Sequence, residues 1–214
     1  MADQLLPDIS IPGAVTIDAA VTHIDDSPEM TARVRTAFAN GDAVILPSAF
    51  APAFLQTILT VCRRGAFATE TIDRIGWRTV EERDVAGAAM RFALERPAFL
   101  RWVEAVAGCE PLTRLSGVVA EMAADTGQEL GWHNDRTDET RDRRLAVTVH
   151  LSDAPYEGGH FEMRDERSGQ MRVRAGALPP GSVMLFRIDG TLRHRVNRVT
   201  SGGPRRVFAG WLSV

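Results

Sequence analysis

From Leu112 onward the sequence never sustains a helical period. Apolar residues recur at every second position in short runs, and Gly, Pro and Asp break the runs apart. Such runs read as strands, and the candidates are 112–123, 129–134, 143–151, 159–164, 170–174, 181–187, 193–199 and 205–213. Eight short strands suggest a double-sheet jelly roll, the double-stranded β-helix.

The first half has a different period. Ser27-Pro28-Glu29 is a helix start signal, and Asn40-Gly41 closes a helix carrying Met30, Val34 and Phe38. Val44-Ile45-Leu46 reads as a short strand. A second helix is expected from Pro52 to Arg64, with Phe54, Ile58, Leu59 and Cys62 on one face and Gly65 as its stop. Two more are expected at about 84–95 and 97–107. In the latter, Phe99, Leu100, Val103 and Val106 form an apolar stripe before Gly108. The expected fold class is therefore α+β, with the N-terminal helices packed on the outside of one sheet of the jelly roll. The stretch Glu70–Arg83 is polar apart from Ile72, Ile75 and Trp77. It reads as a loop, either a lid over a pocket or a surface segment pinned by Trp77.

A chain of 214 residues suits one domain. Residues 1–111 form its mainly helical part and 112–214 the jelly-roll core. Hydrophobic residues at 44% and charged residues at 25% are ordinary for a globular protein. The net charge of −3 argues against nucleic acid as a partner, because phosphate neutralisation wants a basic face. Met1–Pro7 lacks the basic and apolar regions of a leader, and no apolar run is long enough to span a bilayer. Neither a membrane nor a secretory route is implied, so the cytoplasm is the default location. Cys62 and Cys109 have no CxxC spacing and are expected as reduced thiols.

The chemistry-bearing residues lie in the β-rich half. His133 and Asp135 are two apart in an extended segment, so both side chains point to one face and can grip one ion. About sixty residues later, His194 offers a third ligand from a distant strand. Two imidazoles and one carboxylate leave about half of a ferrous ion's coordination sphere open, the pattern of mononuclear iron oxygenases. HxD alone is common by chance, and a single strand histidine is more often a core residue.

The company these residues keep is more specific. Gly131-Trp132-His133-Asn134-Asp135 is followed by Glu157-Gly158-Gly159-His160-Phe161-Glu162, Pro180-Gly181-Ser182-Val183-Met184-Leu185-Phe186, Leu192-Arg193-His194-Arg195-Val196 and Arg205-Arg206-Val207-Phe208-Ala209-Gly210-Trp211. In this order the segments resemble the 2-oxoglutarate and iron(II)-dependent oxygenases, specifically the prolyl-4-hydroxylase-like branch. The resemblance covers roughly residues 112–214.

The resemblance implies His133, Asp135 and His194 as iron(II) ligands. It also implies a basic residue on the last strand for the far carboxylate of 2-oxoglutarate. Of two adjacent arginines, Arg205 shares strand parity with Val207, Ala209 and Trp211 and is favoured; Arg206 would point outward. The alternative is a surface arginine pair on an edge strand. His150 occupies a place where relatives often carry a carboxylate-contacting tyrosine, and Thr148 shares its face; His150 also reads as a core histidine. The chain departs from the family about ten residues before the HxD, where many relatives have a tyrosine. Here the sequence is Met122-Ala123-Ala124, and the chain's one tyrosine is Tyr156.

The implied activity is that of a dioxygenase. It uses O2 to convert 2-oxoglutarate to succinate and CO2, and hydroxylates an unactivated C–H bond of a peptide or protein side chain or of a small metabolite. Ascorbate is an accessory reductant in such systems. Two other classes remain: a zinc hydrolase using the same His/Asp/His set, and a non-catalytic jelly-roll protein that binds a metal or ligand. No HExxH-type helix supports the hydrolase. His160 follows Gly158-Gly159, which reads as a close backbone approach rather than a ligand site, and His23 reads as solvated. The charge run Asn134–Arg144 reads as a solvated loop, from which Arg136 or Arg141 could meet an acidic substrate. Oligomeric state has no readable signal.

Overall fold

A computed structural model describes residues 8–214; Met1–Pro7, on which the expectation about a leader rests, lie outside the described residues. Two short strands, β1 (Val15–Ile17) and β2 (Thr22–Ile24), pair with each other ahead of α1 (Pro28–Gly41). Ser27 Oγ accepts the Met30 amide at 3.3 Å, which satisfies one of the orphan donors of this helix's first turn. Then come β3 (Ala43–Leu46) and α2 (Pro52–Arg64), both where the apolar pattern predicts them.

The next segment departs from expectation. Instead of a loop, Glu70–Arg83 falls in a hairpin of β4 (Phe67–Ile72) and β5 (Gly76–Glu81), paired from Phe67 opposite Glu81 to Ile72 opposite Gly76. β5 then joins the main sheet on two sides. Its Thr79 and Val80 pair with β6 (Arg114–Met122), while Gly76 and Trp77 pair with β7 (Glu129–His133). Gly76 is required there. Its φ is +150°, and a Cβ at that position would lie 1.9 Å from the carbonyl oxygen of Glu129. Between β5 and β6 the chain forms α3 (Val85–Leu94) and α4 (Pro97–Ala107).

The remaining strands are β8 (Arg143–His150), β9 (Tyr156–Gly158), β10 (Phe161–Asp165), β11 (Met171–Ala175), β12 (Val183–Arg187), β13 (Leu192–Val196), β14 (Val199–Gly202) and β15 (Arg205–Ser213). The long sheet runs β11-β10-β13-β7-β5-β6-β15-β8-β12-β3 and curls into a nearly closed antiparallel barrel, the expected jelly roll. All eight strands expected after Leu112 are present. The 193–199 segment is split, its last residue starting β14, which pairs with β9.

Both faces of the central strands are covered, and each face has its own core. On β8, Leu145, Val147 and Val149 point to the helices; on β15, Phe208 and Leu212 do the same, packing with Phe38, Leu59, Met90 and Phe99. The opposite parity, including Ala146, Met184, Phe186 and Met163, fills the barrel interior. Burial on both faces explains why Leu145–Val149 reads as a near-continuous apolar run. The helices therefore sit outside one sheet, as expected. Cys62 and Cys109 are both free. Burial pushes the Cys62 thiol up to about 11, which leaves it unreactive. No helix among the described residues is long and apolar enough to cross a membrane.

Candidate functional site

The interior face of the barrel is not wholly filled. A cavity of about 270 Å³ is lined by apolar side chains, among them Ile72, Ile75, Met122, Leu130, Phe161, Phe186 and Val207. Its charged lining is Glu70, Arg78, His133, Asp135, His194 and Arg205.

Strand pairing builds the first cluster. β13 pairs with β7 so that His194 stands directly opposite His133. Asp135 follows just beyond the end of β7. His194 Nε2 lies 3.4 Å from Asp135 Oδ2, and His133 Nε2 lies 3.5 Å from Asp135 Oδ1. The three offer one ligand atom each within 4.8 Å of one another, the only such group among the described residues. Two donors about 2.1 Å from one ion sit about 3 Å apart, so this spacing fits a first-row metal.

The ligands are held from behind. His133 Nδ1 is 2.7 Å from the carbonyl oxygen of Gly131, which can only accept; the ring therefore carries its proton on Nδ1 and leaves Nε2 for a metal. Trp211 Nε1 donates to Asp135 Oδ2 at 2.7 Å, and the Arg143 guanidinium stacks 4.2 Å over the Trp211 ring. Thr140 Oγ1 donates to the backbone oxygen of Asp135 at 2.8 Å. Burial alone would raise the Asp135 pKa, but the His194 and His133 imidazoles outweigh it and hold the carboxyl well below its usual range. Burial lowers His194 despite the attraction of Asp135, which favours the neutral, ligating imidazole.

The second cluster lies further along β15. Arg205 faces the cavity and is 5% exposed. It has no carboxylate partner among the described residues, and its Nε makes no hydrogen bond. Desolvation lowers its pKa, and Tyr156 opposes that shift. Gly159, at φ +60°, lets Arg205 pack close: a Cβ there would lie 2.9 Å from Arg205 Cδ and 3.0 Å from Tyr156 Cε2. The Gly158-Gly159 pair is thus a close approach, as read.

His150 pairs with Val207 and Thr148 with Ala209, all on the interior parity. Thr148 lines the cavity; His150 is buried, with neither ring nitrogen hydrogen-bonded among the described residues. Burial, reinforced by Arg205, pushes its pKa down to about 3, so the ring is neutral. Among the described residues, Arg205 Nε on the cavity wall and the buried His150 ring behind it, on the strand paired with β15, have no hydrogen-bond partner. Such a set fits a carboxylate.

Arg206 takes the opposite parity from Arg205, but it does not reach solvent. It is buried under the β4 side, bonded through Nη2 to Glu121 Oε2 at 2.6 Å and 5.4 Å from the Phe67 ring centroid. Since β15 lies between β6 and β8, the edge-strand alternative fails. His160 stands apart from the cluster, and His23 is exposed on β2. Arg136 and Arg141 are exposed in their loop. Two cavity residues, Glu70 and Arg78, carry no signal in the sequence, because their hairpin lacks the alternating apolar pattern of a strand pair. Tyr156 carries none either, since its proximity to Arg205 is a tertiary property.

Residues 118–213 match the 2OG-Fe(II) oxygenase superfamily model, and the match spans both clusters. No curated protein matches the sequence. Among solved structures, the chain resembles a prolyl-4-hydroxylase from Pseudomonas putida, with 19% identity, a TM-score of 0.63 and coverage of 86% of this chain and 98% of that one. It also resembles a prolyl hydroxylase from Trichoplax adhaerens solved with a hypoxia inducible factor peptide, with 16% identity, a TM-score of 0.65 and coverage of 86% and 89%. A third is SnoN, a non-heme alpha ketoglutarate dependent epimerase of nogalamycin biosynthesis, with 17% identity, a TM-score of 0.63 and coverage of 87% and 84%. At these identities the likeness speaks for the fold. The superfamily match over residues 118–213 and the His/Asp/His cluster together support a 2-oxoglutarate-dependent dioxygenase, an oxidoreductase.

Proposed function

We propose that the protein hydroxylates an unactivated C–H bond of a peptide or protein side chain or of a small metabolite, releasing succinate and CO2. The observation that carries this reading is the pairing of two clusters in one apolar cavity. His133, Asp135 and His194 would hold iron(II) at one end, and Arg205, with His150 and Thr148, would receive the far carboxylate of 2-oxoglutarate at the other. Once bound, iron, 2-oxoglutarate and O2 supply the oxidising power, with ascorbate as an accessory reductant.

The chain's own contribution is placement. Nδ1-protonated His133, neutral His194 and ionised Asp135 present three lone pairs to one point. The apolar wall of Ile72, Ile75, Leu130, Phe161 and Phe186 excludes water from the reacting carbon. Support for the range of substrates is indirect: one similar structure holds a peptide, and another is an enzyme of nogalamycin biosynthesis. Free Cys62 and Cys109 are in keeping with a cytoplasmic location.

The test is anaerobic reconstitution with iron(II), followed by O2 and 2-oxoglutarate, with succinate release measured against peptide, amino-acid and metabolite libraries. Hydroxylation adds the mass of one oxygen to the product. His133→Ala and Asp135→Ala are expected to abolish succinate formation while leaving the melting curve of the metal-free protein near wild type. Retained turnover in either variant, or zinc retention with no decarboxylation on any substrate, overturns the proposal.

A further inference from the structure

Arg78 is a second guanidinium on the inner wall of the same cavity, and neither the fold nor the superfamily match accounts for it. It is 7% exposed. Glu70, on the neighbouring strand β4, takes its Nε at 2.7 Å. The two Nη groups make no hydrogen bond among the described residues, and Arg78 lines the cavity. An ion pair serving only the surface has no reason to bury its cation on an apolar inner wall, where desolvation is costly.

The register shows where those Nη groups are needed. β5 pairs Thr79 with Glu121 and Val80 with Ala120, so one residue further along Arg78 comes beside Met122. Met122 pairs with Arg205 across the next strand. Arg78, Met122 and Arg205 form one cross-strand row, all three lining the cavity. The two arginines are separated by two strand spacings, about 10 Å between backbones. Met122, between them, offers no hydrogen-bond donor. At this end of the cavity the charged lining is two guanidiniums and one carboxylate, Glu70, already engaged by Arg78 Nε. One positive charge is left over. A carboxylate has two oxygens with about four acceptor sites, enough for two converging guanidiniums.

We propose that Arg78, oriented by Glu70, shares with Arg205 the far carboxylate of 2-oxoglutarate, as a second binding residue supplied by the β4–β5 hairpin. This rests on the reading of the site given above. It makes the hairpin part of cosubstrate binding, not merely a wall or a lid. Glu70 keeps the Arg78 fork facing inward when the cosubstrate is absent.

The test is calorimetric binding under anaerobic conditions to protein loaded with redox-inert manganese(II), with no turnover required. Two ligands are compared: 2-oxoglutarate, and 2-oxopentanoate, which has a methyl group where 2-oxoglutarate has its far carboxylate. Arg78→Met is expected to weaken 2-oxoglutarate about tenfold or more, the scale of a lost charge-assisted hydrogen bond, and to change 2-oxopentanoate less than twofold. Unchanged 2-oxoglutarate binding overturns the proposal. Equal weakening of both ligands also overturns it, because Arg78 would then act through the wall's structure. Should Arg78→Met fail to fold, Arg78→Lys decides: a loss confined to 2-oxoglutarate supports the shared carboxylate, and wild-type affinity refutes it. If the wild-type protein binds no manganese, or binds 2-oxoglutarate equally well without it, the failure lies in the functional reading and not in Arg78.

Discussion

Trp211→Phe isolates one hydrogen bond at the candidate metal centre. Phenylalanine keeps a ring for Arg143 to stack on and removes the Nε1–H that Asp135 Oδ2 accepts at 2.7 Å, along with part of the ring that lines the cavity. A hydrogen bond to a charged acceptor is worth about 1.5–3 kcal/mol. This bond is already made before a metal arrives, so much of that sum is lost equally from the free and the bound states. What the metal loses is orientation. Without the indole, the Asp135 carboxylate can turn toward either imidazole, both within 3.5 Å, and must be turned back on binding. We expect about tenfold weaker metal binding, near the low end of the 10–100-fold typical of a lost outer-shell partner. Anaerobic manganese(II) titration measures it, with the melting curve of the metal-free variant as the check on folding. Affinity within twofold of wild type refutes the argument; the backbone bonds that Thr140 and Arg143 make to Asp135 would then suffice to hold the carboxylate.

The two adjacent arginines of β15 are expected to behave oppositely. Arg205→Met removes a buried cation that has no carboxylate partner among the described residues, so the ligand-free protein should melt higher while its 2-oxoglutarate affinity falls. Arg206→Met strands Glu121, which is partly exposed, and should cost about 2–3 kcal/mol, at about 2–4 °C per kcal/mol, with 2-oxoglutarate affinity nearly unchanged. Melting curves and binding titrations on both variants check this, and the reverse order would show the strand parity to be wrong. For His150, the folded pKa of about 3 lies below the ordinary 6.5, so the unfolded chain takes up a proton that the folded one refuses. Its contribution to stability is therefore complete above pH 6.5 and is lost as pH falls toward 3, by up to about 1.4 kcal/mol per pH unit. Urea unfolding of wild type and His150→Asn across this range should give curves that diverge as pH rises; parallel curves would mean that the ring is hydrated or paired.

How much of this was legible depended on whether a segment's partners were encoded nearby. α1 could be read because Ser27, Pro28 and Gly41 mark its ends locally, and α4 because Pro97 and Gly108 bracket an apolar stripe. β8 and β15 were legible because their alternation, or its absence under two-sided burial, is a property of the strand itself. β4 and β5 were not. Their burial pattern is mostly intermediate or exposed, since the hairpin walls an opening instead of a packed core, and Glu70, Arg78 and the threonines leave no period-two apolar signal. β9, at three residues, is too short for any period to register. The same distinction governed the site. His133 ends β7 and Asp135 follows two residues on, and Arg205 shares a strand face with Trp211, so the spacing of two was enough to group them. Glu70 and Arg78 reach the cavity through cross-strand pairing, and Tyr156 comes beside Arg205 through the glycine at 159, which is information about neighbours that a single segment does not carry.

Two-sided burial also explains why the arginine pair resists a simple inside-or-outside reading. On a strand with one solvated face, successive residues would divide into buried and exposed, and one of Arg205 and Arg206 would be a surface group. β15 has helices and the β4 side on one face and the cavity on the other, so both arginines are buried and each needs its own anion. Arg206 finds Glu121, whereas Arg205 finds no carboxylate among the described residues. The same strand therefore spends one face on stability and holds the other in readiness for a ligand. Substitutions at Arg206, Phe208 and Leu212 should accordingly move the melting temperature without touching cosubstrate affinity. Those at Arg205, Val207 and Trp211 should lower the affinity for cosubstrate or metal, and a single alternation of parity along β15 separates the two outcomes.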